Sequence, residues 1–198
     1  MKATSLLIAV TLMSAPLSAD EVRHDPIAQW LNKHSHEVMQ GTLAMMLLWG
    51  DMDTVDQAGL TLDGMVAATA AAEGLKMVIS DPRPRDPEAR DGMPSSHTAA
   101  AFALAHGLTG WRGSWGPAVY AFAAGVGWAR VEEDHHSVEQ VLAGAAVGMW
   151  IAGVSRRSDG FLFHAGADMP ETAFSSEEDL SSVAASPQAI MLLWEQCW

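Results

Sequence analysis

The chain has 198 residues, of which 49% are hydrophobic, and its 24 acidic side chains outnumber its 11 lysines and arginines. A chain of this length predicts a single domain with a sizeable hydrophobic core. The formal net charge of −13 argues against nucleic acid or an anionic membrane surface as the partner, because both would repel an acidic protein. It does not exclude a small anion that binds in a locally basic pocket.

Residues 1–19 have the pattern of a secretory signal peptide. Lys2 supplies the charged start, an apolar run follows from residue 6 to residue 13, and Ala19 is a small residue at the expected cleavage point. We therefore expect the mature chain to be periplasmic or secreted. A segment retained as an anchor would instead leave the protein associated with the inner membrane.

Apolar side chains recur at helical spacing through most of the remaining chain, and no segment alternates as a strand would. The pattern predicts an all-α fold, a compact single-domain bundle of about six helices within residues 20–160. The expected helices lie near 26–35, 37–50, 55–79, 95–108, 117–129 and 137–151, with a joint near Gly59 or Gly64 and a glycine-rich loop at 107–116. Residues 161–198 predict an acidic, flexible tail with a short apolar end.

No strongly apolar run reaches the roughly 18 residues that a membrane-spanning helix requires. We therefore expect a soluble bundle, with peripheral contact to a membrane as the alternative. The histidines near the first helix, His24, His34 and His36, have spacings that match no standard metal site, and we interpret them as surface residues.

Positive charge is concentrated in one stretch of this acidic chain, at Lys76, Arg83, Arg85, Arg90 and Arg130. Such a concentration suggests a site for an anion. The residue types suit phosphate, because Arg presents a planar fork of donors and Lys a point charge. His97 and His136 in the same stretch could supply a nucleophile and a proton donor, which phosphate binding alone does not need.

These residues fall into three short motifs, Lys-x6-Arg-Pro at 76–84, Pro-Ser-Ser-His at 94–97 and Arg-x5-His at 130–136. Their order and internal spacing resemble the three motifs of the type 2 phosphatidic acid phosphatase (PAP2) superfamily. In that family the second motif is Pro-Ser-Gly-His and the third is Ser-Arg-x5-His-x3-Asp. The resemblance covers about a third of the chain.

The resemblance implies a role for each residue of the site. The phosphate would be held by Lys76, Arg83, Arg130, the Ser95 hydroxyl and the backbone N–H groups of Ser96 and His97. His136 would attack phosphorus and form a phosphohistidine. His97 would protonate the leaving oxygen and then activate water for the second step. No metal or other cofactor is expected, because basic side chains supply the positive charge.

Three positions depart from the family pattern: Ser96 replaces Gly, Ala129 replaces Ser, and Gln140 replaces Asp. The Gln140 amide can accept the hydrogen bond that fixes the His136 tautomer, but it cannot supply the negative charge that the family aspartate gives. Glu139 is the alternative orienting residue if the helix is rotated.

The resemblance therefore implies a phosphoric monoester hydrolase that acts on a small phosphate ester or a lipid phosphate. Two alternatives remain. A vanadate-dependent haloperoxidase uses a similar site, with vanadate bonded at the position of His136. A non-catalytic phosphate-binding homologue is the other, and the replacement of the family aspartate by Gln140 motivates it.

Overall fold

A computed structural model describes residues 25–162, which form five α-helices and no β-strand. The helices are α1 (Pro26–Trp49), α2 (Met52–Ile79), α3 (Ser96–Trp111), α4 (Gly116–Glu132) and α5 (Val138–Arg157), and a 3₁₀ turn at Gly113–Trp115 precedes α4. The predicted all-α fold is confirmed. The signal peptide predicted at residues 1–19 and most of the tail predicted at 161–198 lie outside the described residues.

Helix α3 lies at the centre of the bundle, where it packs against α2, α4 and α5. Its buried apolar side chains occupy nearly every face of the helix: Ala99, Ala100, Ala101, Ala103, Leu104, Ala105 and Leu108. A helix buried on all sides has no amphipathic stripe, which is why this segment reads as a plain alanine-rich run. Its first turn carries His97, so the most buried helix of the bundle positions one of the two site histidines.

Helix α5 approaches α3 closely because two glycines face it. A Cβ atom at Gly144 would lie 2.3 Å from the carbonyl oxygen of Ser95, and one at Gly148 would lie 2.2 Å from that of Ala99. Neither position can hold a side chain in a close-packed interior. The glycines therefore bring the N-terminus of α5 against the N-terminus of α3.

The first two predicted helices, at 26–35 and 37–50, form the single helix α1, so the described bundle has five helices rather than six. Asp25 caps this helix by accepting a hydrogen bond from the Ile27 N–H at 2.7 Å, and the helix continues through Gly41 as far as Trp49. The predicted division at residue 36 was wrong because it rested on polar residues that helices tolerate.

The predicted helix joint near Gly59 or Gly64 and the predicted start of a loop at residue 107 were also wrong. Helix α2 runs without a joint through Gly64, where a Cβ atom would lie 3.1 Å from the Cα of Ala152 on α5. Helix α3 continues to Trp111 through the predicted loop, and a Cβ atom at its Gly107 would lie 2.6 Å from the Thr61 hydroxyl. These glycines permit close helix packing and do not interrupt the helices.

A buried carboxylate ties the chain beyond α5 to the bundle. Asp63 of α2 is fully buried. It accepts hydrogen bonds from the Ser155 hydroxyl at 2.6 Å and from the backbone N–H groups of Phe161 at 2.8 Å and Leu162 at 2.5 Å. Because a buried carboxylate is costly without such partners, these bonds hold residues 161 and 162 in place.

Among residues 25–162, α5 is the one helix that is long and apolar enough to cross a membrane by length and composition alone. The expectation that no apolar run reaches this length is therefore wrong for this segment. In the bundle, 39% of the most apolar window of α5 is buried, and the helix packs against α2 and α3.

Candidate active site

Three hydrogen bonds bring the three motifs together at one end of the bundle. The Lys76 ammonium at the end of α2 donates to the Ser96 hydroxyl at 2.6 Å. The Ser95 N–H donates to the Gln140 carbonyl oxygen at 3.0 Å. The loop between α2 and α3 contacts the third motif through Gly92, whose carbonyl oxygen lies 2.9 Å from His136 Nδ1. Segments 60 residues apart in the chain therefore form one site.

His136 lies just before α5 and is 2% exposed. Its Nδ1 faces two carbonyl oxygens, that of Gly92 at 2.9 Å and Gln140 Oε1 at 3.1 Å. Carbonyl oxygens only accept hydrogen bonds, so Nδ1 carries the proton and Nε2 carries the free lone pair. Burial, followed by the charge of Arg130, lowers the pKa of His136 from 6.5 to about 4, so the imidazole is neutral near pH 7.

Gln140 is held by hydrogen bonds on both sides of its amide. Nε2 donates to Asp81 Oδ2 at 2.5 Å and to the Pro82 carbonyl oxygen at 2.8 Å. Oε1 accepts from the Ser137 N–H at 3.1 Å, which forms a capping box at the start of α5. The amide oxygen therefore has a fixed direction towards His136. Glu139, the alternative orienting residue, is exposed.

Arg130 is buried and carries unused hydrogen-bonding capacity. Its side chain is 8% exposed, and its NH1 donates to Asn32 Oδ1 at 3.2 Å. Within the described part of the chain, its Nε has no hydrogen-bond partner. Burial, followed by the charge of Arg83, lowers the pKa of Arg130 to about 10, which still leaves it charged at neutral pH. A buried guanidinium with an unfilled donor suits an anionic ligand.

Lys76 is also 8% exposed and is held by Glu73 and Ser96. Its ammonium donates to Glu73 Oε1 at 2.7 Å and to the Ser96 hydroxyl at 2.6 Å, and that hydroxyl donates in turn to Glu73. Within the part of the chain that the structure describes, two of its three N–H donors are used, which leaves the third for a ligand. Ser96, which replaces the family glycine, is part of this cluster.

Arg83 is partly exposed and forms a two-pronged ion pair with Asp91. Its Nε and NH2 lie 2.8 and 2.7 Å from the two carboxylate oxygens. The hydrogen bond from Arg83 lowers the pKa of the Asp91 carboxyl. Among residues 25–162, no hydrogen bond uses the NH1 group, whose two N–H donors could therefore serve a ligand. The charge of Arg83 acts on both His136 and Arg130, so the three side chains share one electrostatic environment.

Ser95 is fully buried and serves as the N-cap of α3. Its hydroxyl oxygen accepts a hydrogen bond from the Thr98 hydroxyl at 3.0 Å. Ser96 and His97 follow as the first two residues of the helix, where backbone N–H groups have no partner within the helix. The N-terminus of α3 thus offers two N–H groups towards the site, while the Ser95 side chain contacts the helix itself.

His97 is surrounded by the other basic groups of the site. Burial lowers its pKa well below 6.5, and the charges of Arg130, His36, His136 and Lys76 act in the same direction. Its ring meets the ring of His36 edge to face, with centroids 4.5 Å apart. Both site histidines are therefore neutral at pH 7 before a ligand binds.

Two site residues come from α1 and were missed in the sequence. Asn32 holds Arg130, and it also donates to the Ala129 carbonyl oxygen at 3.0 Å. His36 lies one turn further along α1 and contacts His97. The interpretation of His36 as a surface residue was wrong, because α1 packs along α4 and turns this face towards the site. A polar pair at i and i+4 was the signal in the sequence.

An apolar groove of about 450 Å³ lies between α4 and α5, beside the turn that carries His136. Its lining includes Trp128, Val131, Val138, Val141 and Leu142. Val131 directly follows Arg130, and Val138 lies two residues after His136. An apolar surface therefore begins within a few residues of the phosphate-binding groups.

The fold and the site together define an all-helical protein in which basic side chains and two buried histidines lie at one end of the bundle. The family model of the PAP2 superfamily matches residues 58–162, which is more than half of the chain. The chain therefore belongs to the PAP2 superfamily, whose activity is of the phosphatase type. Comparisons of the chain with curated proteins and with solved structures found no match. Helix α1, which supplies Asn32 and His36, lies outside the matched residues.

Proposed function

We propose that the protein hydrolyses phosphate monoesters through a phosphohistidine on His136. The observation that carries the proposal is the tautomer of His136, since two carbonyl oxygens hold its Nδ1 proton and leave Nε2 as the free nucleophile. The unfilled donors of Arg130, Arg83 and Lys76 would hold the phosphate beside it.

In the first step, Nε2 of His136 attacks phosphorus. The P–N bond forms as the P–O bond to the alcohol breaks, and His97 gives a proton to the leaving oxygen. The three cations and the N-terminus of α3 stabilise the charge on the phosphoryl oxygens in the transition state. Positive charge develops on the His136 ring, whose Nδ1–H donates to Gly92 and Gln140.

In the second step, neutral His97 takes a proton from water, and the resulting hydroxide attacks the phosphoryl group. The P–N bond breaks, inorganic phosphate leaves, and His136 returns to its neutral form with the proton on Nδ1. A bound phosphate ester dianion would raise the pKa of His97, because a nearby negative charge stabilises the imidazolium. Substrate binding would thus favour the protonated acid that the first step needs.

The groove beside the site favours an ester with an apolar alcohol group. Val131 and Val138 continue the site into an apolar surface that would exclude water from an alkyl chain. We therefore expect kcat/KM to rise from ethyl to octyl phosphate. Leu142→Ser, in the wall of the groove, should reduce this preference and leave the hydrolysis of ethyl phosphate unchanged. Equal rates for all chain lengths would point to water-soluble esters.

The test of the function is hydrolysis of p-nitrophenyl phosphate by the full-length protein and three variants. We expect turnover in the wild type, none in His136→Ala, and a strong loss in His97→Ala. His34→Ala is the matched control, since His34 pairs with Glu37 on α1 away from the site. Turnover that survives His136→Ala would refute the nucleophile. Phosphate binding without release of product would indicate a binding protein, and halide oxidation with added vanadate would indicate a haloperoxidase.

A further inference from the structure

We propose that Asp81 is a positioning residue that acts on His136 through the Gln140 amide. Asp81 would supply the negative charge that the family aspartate supplies directly, while Gln140 makes the contact with the imidazole. The inference rests on the proposed function, because it concerns the nucleophile of that reaction.

The three side chains form a continuous chain of hydrogen bonds. Asp81 Oδ2 accepts from Gln140 Nε2 at 2.5 Å, and Gln140 Oε1 lies 3.1 Å from His136 Nδ1. These contacts join the loop that follows α2 to the first turn of α5. Asp81 also uses its backbone carbonyl, which accepts from the Gly92 N–H at 2.8 Å. Asp81 therefore binds both Gly92 and Gln140, the two residues whose oxygens contact His136 Nδ1.

The direction of the amide follows from its neighbours. Nε2 faces Asp81 Oδ2 and the Pro82 carbonyl oxygen, both of which can only accept. Oε1 faces the Ser137 N–H, which can only donate. A flipped amide would place oxygen against oxygen and nitrogen against N–H. The carboxylate, the Pro82 carbonyl and the Ser137 N–H together fix which end of Gln140 the imidazole meets, and the amide oxygen and the Gly92 carbonyl together hold the proton on His136 Nδ1.

The carboxylate also has an electrostatic effect. A hydrogen bond to a charged acceptor polarises the amide, so that its oxygen becomes a stronger acceptor for the next bond in the chain. His136 gains positive charge as it attacks phosphorus, and the polarised amide oxygen stabilises that charge. The nearby carboxylate of Asp91 is held by Arg83, and Glu139 is exposed, so neither has the same relation to His136.

Gly92 shows how closely this arrangement is packed. A Cβ atom there would lie 2.4 Å from Gln140 Nε2 and 2.8 Å from the Pro82 carbonyl oxygen. No side chain fits between the amide and the loop that carries Asp81. The residue at 92 must be glycine for the carboxylate and the amide to meet.

The first test is a double-mutant cycle measured as kcat with p-nitrophenyl phosphate. Asp81→Asn keeps the shape and removes the charge, and it should lower kcat about 10-fold with little change in KM. Gln140→Asp alone should also lower kcat, because it places two carboxylates against each other. The double variant, Asp81→Asn with Gln140→Asp, should have a higher kcat than either single variant, since it places one carboxylate beside the imidazole. Glu88→Gln makes the same change of charge at an exposed position of that loop, and its kcat should equal that of the wild type.

The second test reads the His136 ring directly by ¹⁵N NMR in phosphate-free buffer, with the signals assigned from the spectrum of His136→Gln. The wild type should show a single neutral tautomer with the proton on Nδ1. Asp81→Asn should weaken that hydrogen bond and move the Nδ1–H signal upfield, and Glu88→Gln should not. This readout does not depend on turnover or on the folding of a Gln140 variant.

The outcomes separate the inference from the proposed function. An inactive wild type would refute the phosphatase, and the NMR spectra of wild type and Asp81→Asn would still decide the role of Asp81. An Nδ1–H signal that is the same in both proteins would overturn the inference. Losses in kcat that simply multiply in the double variant would overturn it as well.

Discussion

The low pKa of buried His136 gives a prediction about stability. The pKa lies near 6.5 in the unfolded chain and at about 4 in the folded protein, chiefly because of burial. The unfolded state therefore binds the proton more tightly. The stability contributed by the neutral ring is fully present above about pH 6.5, and it is lost as the pH falls towards the folded pKa.

The magnitude follows from the size of the shift. A difference of about 2.5 pKa units at about 1.36 kcal/mol each corresponds to roughly 3 kcal/mol of unfolding free energy. The pKa difference is converted to free energy with no reduction for solvent screening, because His136 is 2% exposed. The loss should be spread over the range from about pH 6.5 to about pH 4.

The assay is urea denaturation, followed by tryptophan fluorescence, of the wild type and His136→Gln in phosphate-free buffer. His97, His36, His106 and His135 also have lowered pKa values, so acid should destabilise both proteins. The difference between the two proteins isolates His136. The wild type should lose roughly 3 kcal/mol more than the variant on acidification. Identical losses in both proteins would refute the neutral, buried imidazole.

Three further predictions concern the site and its support. Because kcat/KM requires neutral His136 and protonated His97, and both pKa values are lowered, its pH optimum should lie below 6.5 in a steady-state pH profile. Gly92→Ala should lower kcat about 100-fold by displacing Gln140, whereas the control Gly74→Ala, at an open helical position, should not. Asp63→Ala should destabilise the fold by about 3 kcal/mol in urea denaturation, because it leaves the Phe161 and Leu162 amides unpaired.

Each of these has a clear contrary result. An optimum above pH 7 would mean that His97 is not the acid in the free enzyme. Equal activity of the two glycine variants would mean that the amide can leave its position without cost. Unchanged stability of Asp63→Ala would mean that the buried carboxylate does not hold the end of the domain.

The sequence was informative where function depends on residue type and short spacing. The helical class and the family resemblance could be predicted because the apolar periodicity and the three motifs are local patterns. The structure brings the predicted Lys76, Arg130 and His136 to one end of the bundle, although they lie far apart in the chain. Their roles in the reaction remain predictions.

The remaining features depend on tertiary contacts that no short pattern encodes. Asp81 belongs to none of the three motifs, and its contact with Gln140 spans 59 positions. His36 looked like a surface histidine because its ring partner, His97, lies on another helix. The glycines of α2 and α3 looked like interruptions, since the sequence does not show that a neighbouring helix fills the space they leave.

The most direct test of the central claim is to trap the intermediate. His97→Ala should accumulate a phosphorylated protein with p-nitrophenyl phosphate, because the activated leaving group needs no acid while the second step still needs His97 as the base. After an alkaline quench, which preserves phosphohistidine, peptide mass spectrometry should place one phosphoryl group on His136. Phosphate on another residue, or none during continued release of p-nitrophenol, would contradict the account.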